Sequence, residues 1–253
     1  MDLVLLTALG VGGATVIGAL IGFLFKNPSH KFNDMILSFA AGVMLAAAVA
    51  GLILPSLEYG EGITPIIVTV AGIFCGAICL NLIDNLVPHL HKMTGLEGEL
   101  HPEKNKQINK VILFIIAIAI HNLPEGIAAG VSFGADNVAH ALTVAGGIAL
   151  QNIPEGMVII APMVAVGISK KRALFIGALT GIVEVVGTLI GYFAVTISTA
   201  ILPFALAFAG GTMLYVISDE MIPETHSHGN ERIATYALLV GFVVMLVVDL
   251  LLG

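Results

Sequence analysis

Charged side chains are scarce in this chain of 253 residues. Only 11% of its residues are Asp, Glu, Lys or Arg, whereas an ordinary soluble domain has roughly 25%. The chain has ten basic and seventeen acidic residues, so it has no basic surface for nucleic acid. So apolar a composition also excludes a disordered chain. The composition therefore excludes a soluble globular protein, a coiled coil and a nucleic-acid partner.

Cysteine is also rare, with Cys75 and Cys79 as the two examples. They lie four positions apart in an apolar run, so a helix would hold them on one face. A disulfide between them would have to form within lipid, away from the oxidising compartments where such bonds arise. We interpret both as small core residues, with a pair of metal ligands as the alternative.

Apolar residues make up 58% of the chain, enough for seven or eight membrane spans of roughly 20 residues each. Short polar segments separate them into eight runs, at about 2–25, 34–56, 63–87, 111–133, 138–168, 173–197, 201–222 and 233–252. The predicted fold class is therefore all-α, a polytopic membrane protein of eight transmembrane helices. We expect a single transmembrane domain over residues 1–253.

Basic residues occur only in alternate loops, where they predict the orientation. They are Lys26 and Lys31, then Lys92, Lys104, Lys106 and Lys110, then Lys170, Lys171 and Arg172, and last Arg232. The positive-inside rule places these loops in the cytoplasm and both termini outside. The longest of them, at about 88–110 between the third and fourth spans, is then a cytoplasmic loop.

Histidines are present on this cytoplasmic side, namely His89, His91 and His101 in the long loop and His226 and His228 near the seventh span. We interpret both segments as solvated loops, with weak metal collection as the alternative.

Two similar hexapeptides lie inside adjacent apolar spans. The first is 121–126 (HNLPEG) and the second is 151–156 (QNIPEG), thirty positions later. At about 1.5 Å per residue, both fall near the middle of a ~30 Å hydrocarbon core, and Glu184 reaches the same depth. Each acidic residue at that depth costs about 2.5–3.5 kcal/mol on insertion scales. Three of them predict a bound cation.

Helical geometry divides these polar residues between two adjacent metal sites. At about 100° per residue, the Glu of each hexapeptide lies between its first and second residues, so it can bridge two ions. The bridging residues are Glu125 and Glu155, the first site adds His121 and Gln151, and the second site adds Asn122, Asn152 and Glu184. A single ion, or one shared proton, would also balance the three charges.

The ligand types favour a borderline divalent metal. Imidazole with carboxylate and amide oxygens, and no nearby thiolate, suits Zn²⁺, Fe²⁺ or Mn²⁺ better than Cu⁺. Four more polar residues lie towards the cytoplasmic ends of their spans, namely Asn81, Asp84, Asp219 and Glu220. We interpret them as hydrated helix ends, with a metal release route as the alternative.

The two hexapeptides, in eight spans with both ends outside, resemble the ZIP family of zinc- and iron-regulated metal transporters, in particular its bacterial GufA-type branch. Glu184 and the segment Ser218–His226 share this resemblance. It implies uptake of divalent metal, Zn²⁺ foremost but also Fe²⁺, Mn²⁺ or Cd²⁺, through a binuclear centre between the fourth and fifth spans. The metal is then cargo, and no cofactor is expected.

The same resemblance implies a homodimer in the bilayer of the cell (inner) membrane, as a multi-pass protein. It further implies an elevator-like movement of one helix bundle against another. The chain departs from the family at one position, because some members carry Asp where Asn152 stands here. The second site therefore has one formal charge fewer.

Two other functions compete with metal transport. An intramembrane metalloprotease would need a His-Glu-x-x-His motif, which the sequence lacks, so we do not expect an enzyme. A proton- or sodium-coupled carrier of an organic solute could use Glu125, Glu155 and Glu184 as a relay. The amide or imidazole beside each carboxylate favours metal over that second alternative.

Overall fold

The computed structural model describes residues 1–25, 29–93, 119–134, 137–165 and 167–252, which are helical and contain no β-strand. We number eight helices within these ranges: α1 (Asp2–Gly22), α2 (His30–Ser56), α3 (Thr64–Met93), α4 (119–132), α5 (Val138–Ala165), α6 (Lys170–Ile197), α7 (Leu202–Thr225) and α8 (Glu231–Leu252). Each apolar run of the sequence overlaps one of them, and the run 111–133 begins outside the described residues. Seven, all except α4, are long and apolar enough to cross a membrane.

The predicted cytoplasmic loop falls largely outside the described residues. Lys26 and the segment 94–118, with His101, are not among them. Helix α3 continues through Pro88 to Met93, so the first residues assigned to this loop are helical.

Side chains on α1 are sorted by size between the inside and the outside of the protein. Buried positions carry small residues, namely Ala8, Gly12, Ala14, Thr15, Gly18 and Ala19. Leu6 and Leu9 are more than half exposed. Because lipid is as apolar as leucine, close packing of small residues, rather than burial of large ones, holds such helices together. The sorting is that of a membrane helix.

The helices form two groups, which we call the first bundle (α1, α4, α5 and α6) and the second bundle (α2, α3, α7 and α8). Within each bundle, backbone packs directly on backbone. A side-chain carbon at Gly126 of α4 would overlap the backbone of Glu184 in α6, and one at Gly241 of α8 would overlap that of Phe39 in α2. These glycines let the helices of a bundle approach as closely as their backbones allow.

The seam between the two bundles is mainly apolar and consists mostly of side chains. One core cluster spans it, with Ala128, Ala129, Val131, Val144, Ala145 and Ile148 from the first bundle and Ala40, Met44, Ala48, Leu206, Ala209 and Met213 from the second. A side-chain carbon added at Gly51 of α2 would meet the side chain of Val144 in α5, not its backbone. The contact across the seam is therefore softer than the packing inside either bundle.

Two helices of the second bundle widen into π-helix just before a proline. In α2 the π-helical stretch is Ala47–Ile53, ahead of Pro55, and in α7 it is Ile217–Met221, ahead of Pro223. Proline lacks an amide hydrogen and crowds the carbonyl four residues back, which displaces the helical ladder. In α2 the carbonyl four residues before Pro55 is that of Gly51. It accepts a hydrogen bond of 3.1 Å from Nε2 of His140 in α5.

Candidate metal centre

Helices α4, α5 and α6 bring the predicted ligands into one buried region. The seven residues are at most 8% exposed, and they are His121, Asn122, Glu125, Gln151, Asn152, Glu155 and Glu184. The last glycine of each hexapeptide permits this approach. Gly126 packs on the backbone of α6 at Glu184, and Gly156 packs on that of α1 at Thr15. The repeated sequence thus sets both the ligands and the helix spacing that gathers them.

Glu184 lies at the centre of a hydrogen-bond network that joins four helices. The side-chain amides of Asn122 and Asn152 donate to its two carboxylate oxygens, each at 2.6 Å, and the Thr15 hydroxyl donates at 2.7 Å. Asn152 also donates to the carbonyl of Val11 at 3.2 Å. The residues assigned to the second site are therefore in contact, and Glu184 has the donors that a buried carboxylate requires.

Other polar atoms of this region have no hydrogen-bond partner among the described residues. They are both carboxylate oxygens of Glu125, both amide atoms of Gln151, and the carbonyl oxygens of Asn122 and Asn152. A buried carboxylate without a partner is costly, and a cation is the ligand that removes this cost. All of these atoms except the Gln151 nitrogen are oxygen donors of the kind that a divalent metal accepts.

The three carboxylates lie within electrostatic reach of one another. The charges of Glu155 and Glu184 repel a negative charge on Glu125, and His121 attracts a negative charge on Glu155. Within the described ranges, no three His, Cys, Asp or Glu side chains are already arranged around a common point where a metal could bind. Because amides hold Glu184, a metal could bind here only after side chains rotate.

His121 has a partner that the sequence analysis did not identify. Its Nε2 lies 2.6 Å from a carboxylate oxygen of Glu220 in the π-helical stretch of α7. Glu220 was assigned to a hydrated helix end, but the structure turns it inward to this histidine. The neighbouring Asp219 is exposed, as a hydrated helix end requires.

Two further contributors come from α1. The hydroxyl of Thr15 and the carbonyl of Val11 both bind residues of the centre. Thr15 is one of two hydroxyl side chains in the first run, the other being Thr7, and that was the available signal. The contribution of a backbone carbonyl, such as that of Val11, cannot be recognised in a sequence because every residue has one.

Most of the remaining polar residues that the sequence analysis considered lie apart from the centre. Asn81 donates to the hydroxyl of Tyr215 at 2.8 Å, and the side chain of Asp84 is outside the described part. Nδ1 of His226 donates to the carbonyl of Ile222 at 2.8 Å, which caps the end of α7. These contacts join neighbouring helices or stabilise the end of one helix.

His228 and the cysteines also lie away from the centre. His228 pairs with the buried carboxylate of Asp34 at 3.0 Å, which joins the α7–α8 loop to α2. Cys75 and Cys79 form no disulfide, as expected, but Cys75 is exposed and Cys79 only half-buried. The interpretation of both as core residues is therefore wrong for Cys75, which lies on an outward face of α3.

A multi-pass helical membrane protein with a buried polar centre is the class that this fold and site define. The family described as ZIP Zinc transporter matches residues 97–249. Zinc transporter GufA of Myxococcus xanthus is 41% identical to this chain over 98% of both chains. Zinc transporter ZIPB of Bordetella bronchiseptica is 37% identical over 95% of this chain and 78% of its own.

The similarity extends to animal proteins. Zinc transporter ZIP11 of Homo sapiens is 32% identical over 95% of this chain and 94% of its own length. The chain belongs to the ZIP family, and the resemblance drawn from the paired hexapeptides is confirmed.

Proposed function

We propose that this chain carries divalent metal ions into the cytoplasm, with Zn²⁺ as the main cargo and Fe²⁺, Mn²⁺ and Cd²⁺ as further ones. Its relatives bear the names of zinc transporters, and the chemistry of its buried donors suits a borderline divalent cation. The ion is cargo that enters and leaves, and the chain needs no cofactor for this activity.

The buried side chain of Glu125 is the observation that carries the proposal. It is fully buried, neither of its oxygens makes a hydrogen bond of standard geometry among the described residues, and it lies beside the Gln151 amide and the carboxylates of Glu155 and Glu184. A carboxyl group at that depth is stable only when a cation or a bound proton neutralises its charge. Gln151 is equally buried and supplies an amide oxygen next to the same position.

Two metal ions share this centre between α4 and α5, with Glu125 and Glu155 as bridges. The second ion uses Asn122, Asn152 and Glu184, a group that the hydrogen bonds to Glu184 already gather. The first ion uses His121 and Gln151.

The first bundle moves against the second to carry the metal. All seven proposed ligands lie on helices of the first bundle, whose helices are packed backbone to backbone. The apolar seam offers side-chain contacts that can be exchanged as the bundles slide. The chain spans the inner membrane eight times with both termini outside, and it acts as a homodimer.

Uptake by reconstituted vesicles tests this function. We expect the purified chain to transport Zn²⁺, with Fe²⁺, Mn²⁺ and Cd²⁺ as competitors, and Glu125→Ala to abolish uptake because it removes the bridging carboxylate. Glu231→Gln, a change of one charge at the exposed start of α8, serves as the control. Uptake of an organic solute driven by protons or sodium, without metal transport, would contradict the proposal.

Metal content per chain tests the two-ion assignment. Glu184→Gln takes one charge from the second site only, so we expect bound metal to fall from about two ions towards one, with some uptake preserved through the bridging pair. His121→Ala acts on the first site only. If Glu184→Gln empties both sites, or changes neither occupancy nor uptake, the assignment is wrong.

A further inference from the structure

A carboxylate from the second bundle reaches a proposed metal ligand of the first. The ring nitrogen Nε2 of His121 lies 2.6 Å from Oε1 of Glu220, and the two side chains are 11% and 29% exposed. Because the carboxylate can only accept, Nε2–H is the donor, and this fixes the proton on Nε2. The bond is short and charge-assisted, so it holds the imidazole ring in one orientation.

This contact crosses the seam between the bundles. Most hydrogen bonds between distant described residues join helices of one bundle, as Asn122 does with Glu184 in the first and Ser56 with Thr69 in the second. Another link across the seam between described residues runs from His140 to a backbone carbonyl of α2. His121 is therefore the one proposed ligand with a described side-chain hydrogen bond to the second bundle.

We infer that Glu220 is a positioning residue for metal binding, an inference that rests on the proposed function. With its proton on Nε2, His121 keeps a lone pair on Nδ1, which is the atom left to bind the metal. Histidines that bind metals commonly donate their other ring N–H to a carboxylate, which sets the tautomer and strengthens the ligand. Glu220 plays this part from the opposite bundle.

The position of the bundles then controls the affinity for metal. Glu220 and His121 move apart when the first bundle slides against the second, because they lie on different sides of the seam. The imidazole then loses the partner that fixes its tautomer, and the first site weakens. Metal is bound most tightly in the arrangement described here and is released more readily after the movement.

Only one of two adjacent acidic residues in α7 contacts His121. Asp219 and Glu220 both lie within Ile217–Met221, but Asp219 is exposed and only Glu220 contacts His121. A change at Asp219 removes the same charge from the same helix turn. Asp219→Ala is therefore a matched control for Glu220→Ala.

Equilibrium binding of Zn²⁺ to the purified full-length chain is the first test. We expect Glu220→Ala to weaken binding at the first site about tenfold to a hundredfold, the range for loss of such a partner, and Asp219→Ala to leave it unchanged. In a His121→Ala background, Glu220→Ala should have no further effect, because the coupling runs through that ring. Tighter binding in Glu220→Ala, or an equal loss in Asp219→Ala, would overturn the inference.

The tautomer of His121 is a second test that does not depend on transport. In ¹⁵N-histidine spectra of the metal-free chain, assigned with His121→Ala, we expect the Nε2–H form in the wild type and a mixture in Glu220→Ala. A wild-type mixture would overturn the inference. A wild-type chain that binds no Zn²⁺ would overturn the proposed function and this inference together, whereas unchanged binding in Glu220→Ala overturns the inference alone.

Discussion

Glu125 and Glu184 are two glutamates at one buried centre with opposite surroundings. Glu184 accepts three hydrogen bonds from described residues, whereas Glu125 has the Gln151 amide beside it and accepts no hydrogen bond of standard geometry from them. Removing the charge of Glu184 breaks charge-assisted bonds, which contribute more to stability than neutral ones. Removing the charge of Glu125 removes the cost of keeping a charge away from water. The two residues should therefore respond in opposite directions to the same isosteric substitution.

Glu125→Gln should stabilise the metal-free protein while abolishing metal binding. The buried, unpartnered carboxylate costs about 1–3 kcal/mol, and the neutral amide costs less. We expect a higher melting temperature by circular dichroism in the presence of a chelator, and a lower one for Glu184→Gln. Added Zn²⁺ should raise the melting temperature of the wild type but not that of Glu125→Gln. A Glu125→Gln protein that melts below the wild type without metal would refute this reasoning.

Much of the centre could be predicted from single residues because of their depth. A carboxylate in mid-membrane signals function by its cost alone, and this identified Glu125, Glu155 and Glu184. The bond between His121 and Glu220 joins positions 99 apart, and nothing in the sequence indicates which helices are neighbours. Glu220 also lies in a π-helical stretch, a feature that hydropathy does not reveal.

At the scale of helices, glycine decides how closely two backbones approach. Gly130 of α4 lies against the backbone of Thr188 in α6, and Gly146 of α5 is exposed with no atom near the place of a new side chain. Both are helical glycines, so each would gain helix propensity from alanine. Only the first would lose its packing.

Gly130→Ala should destabilise the protein by about 3 kcal/mol or more, since the added carbon would overlap backbone that cannot move aside. The matched change Gly146→Ala should stabilise it by up to about 1 kcal/mol, the difference in helix propensity. Melting by circular dichroism in detergent would measure both changes. Equal stabilities for the two variants would mean that α4 and α6 are not in backbone contact.

Hydropathy located the helices but not their outward faces. Each apolar run overlaps one helix of the described residues, because a helix that crosses lipid must be apolar along its length. From Pro65 to Leu80, helix α3 carries no charged residue, so no periodicity showed that Cys75 faces outward. Its extension to Met93 was missed because Pro88 and the following polar residues are typical of a loop.

At the scale of the whole molecule, transport by sliding bundles requires a seam in which no side chain obstructs the movement. Gly51→Ala would place a carbon against the Val144 side chain, which lies on the opposite side of the seam. We expect slower uptake with unchanged Zn²⁺ affinity, because the added carbon meets Val144, about two helical turns from Gln151, and adds only bulk. Vesicle uptake and equilibrium binding, measured together, would show this.

A compensating change distinguishes bulk at the seam from damage to α2. Gly51→Ala combined with Val144→Ala should restore the rate, since the second change removes the group that the first one strikes. Val144→Ala alone is the control. A double variant as slow as Gly51→Ala would argue against movement along this seam.

The orientation of the whole chain depends on its basic residues. After replacement of Cys75 and Cys79, a cysteine at Lys171 should be labelled only from the cytoplasm and one at Asn137 only from outside. Both positions are exposed, so an impermeant reagent can reach them. Labelling of both from one side would contradict the eight-span arrangement.

The backbone contacts of the first bundle have a thermodynamic consequence for the proposed cycle. Because Gly126 and its counterparts hold α1, α4, α5 and α6 together, the ligands keep their mutual distances on either side of the membrane. A difference in affinity between the two sides, such as Glu220 supplies, cannot move ions uphill, since a complete cycle returns the protein to its starting free energy. The chain is then a reversible carrier. Net flux follows the gradient of free metal and the membrane potential, which contributes about 2.3 kcal/mol per elementary charge for each 100 mV.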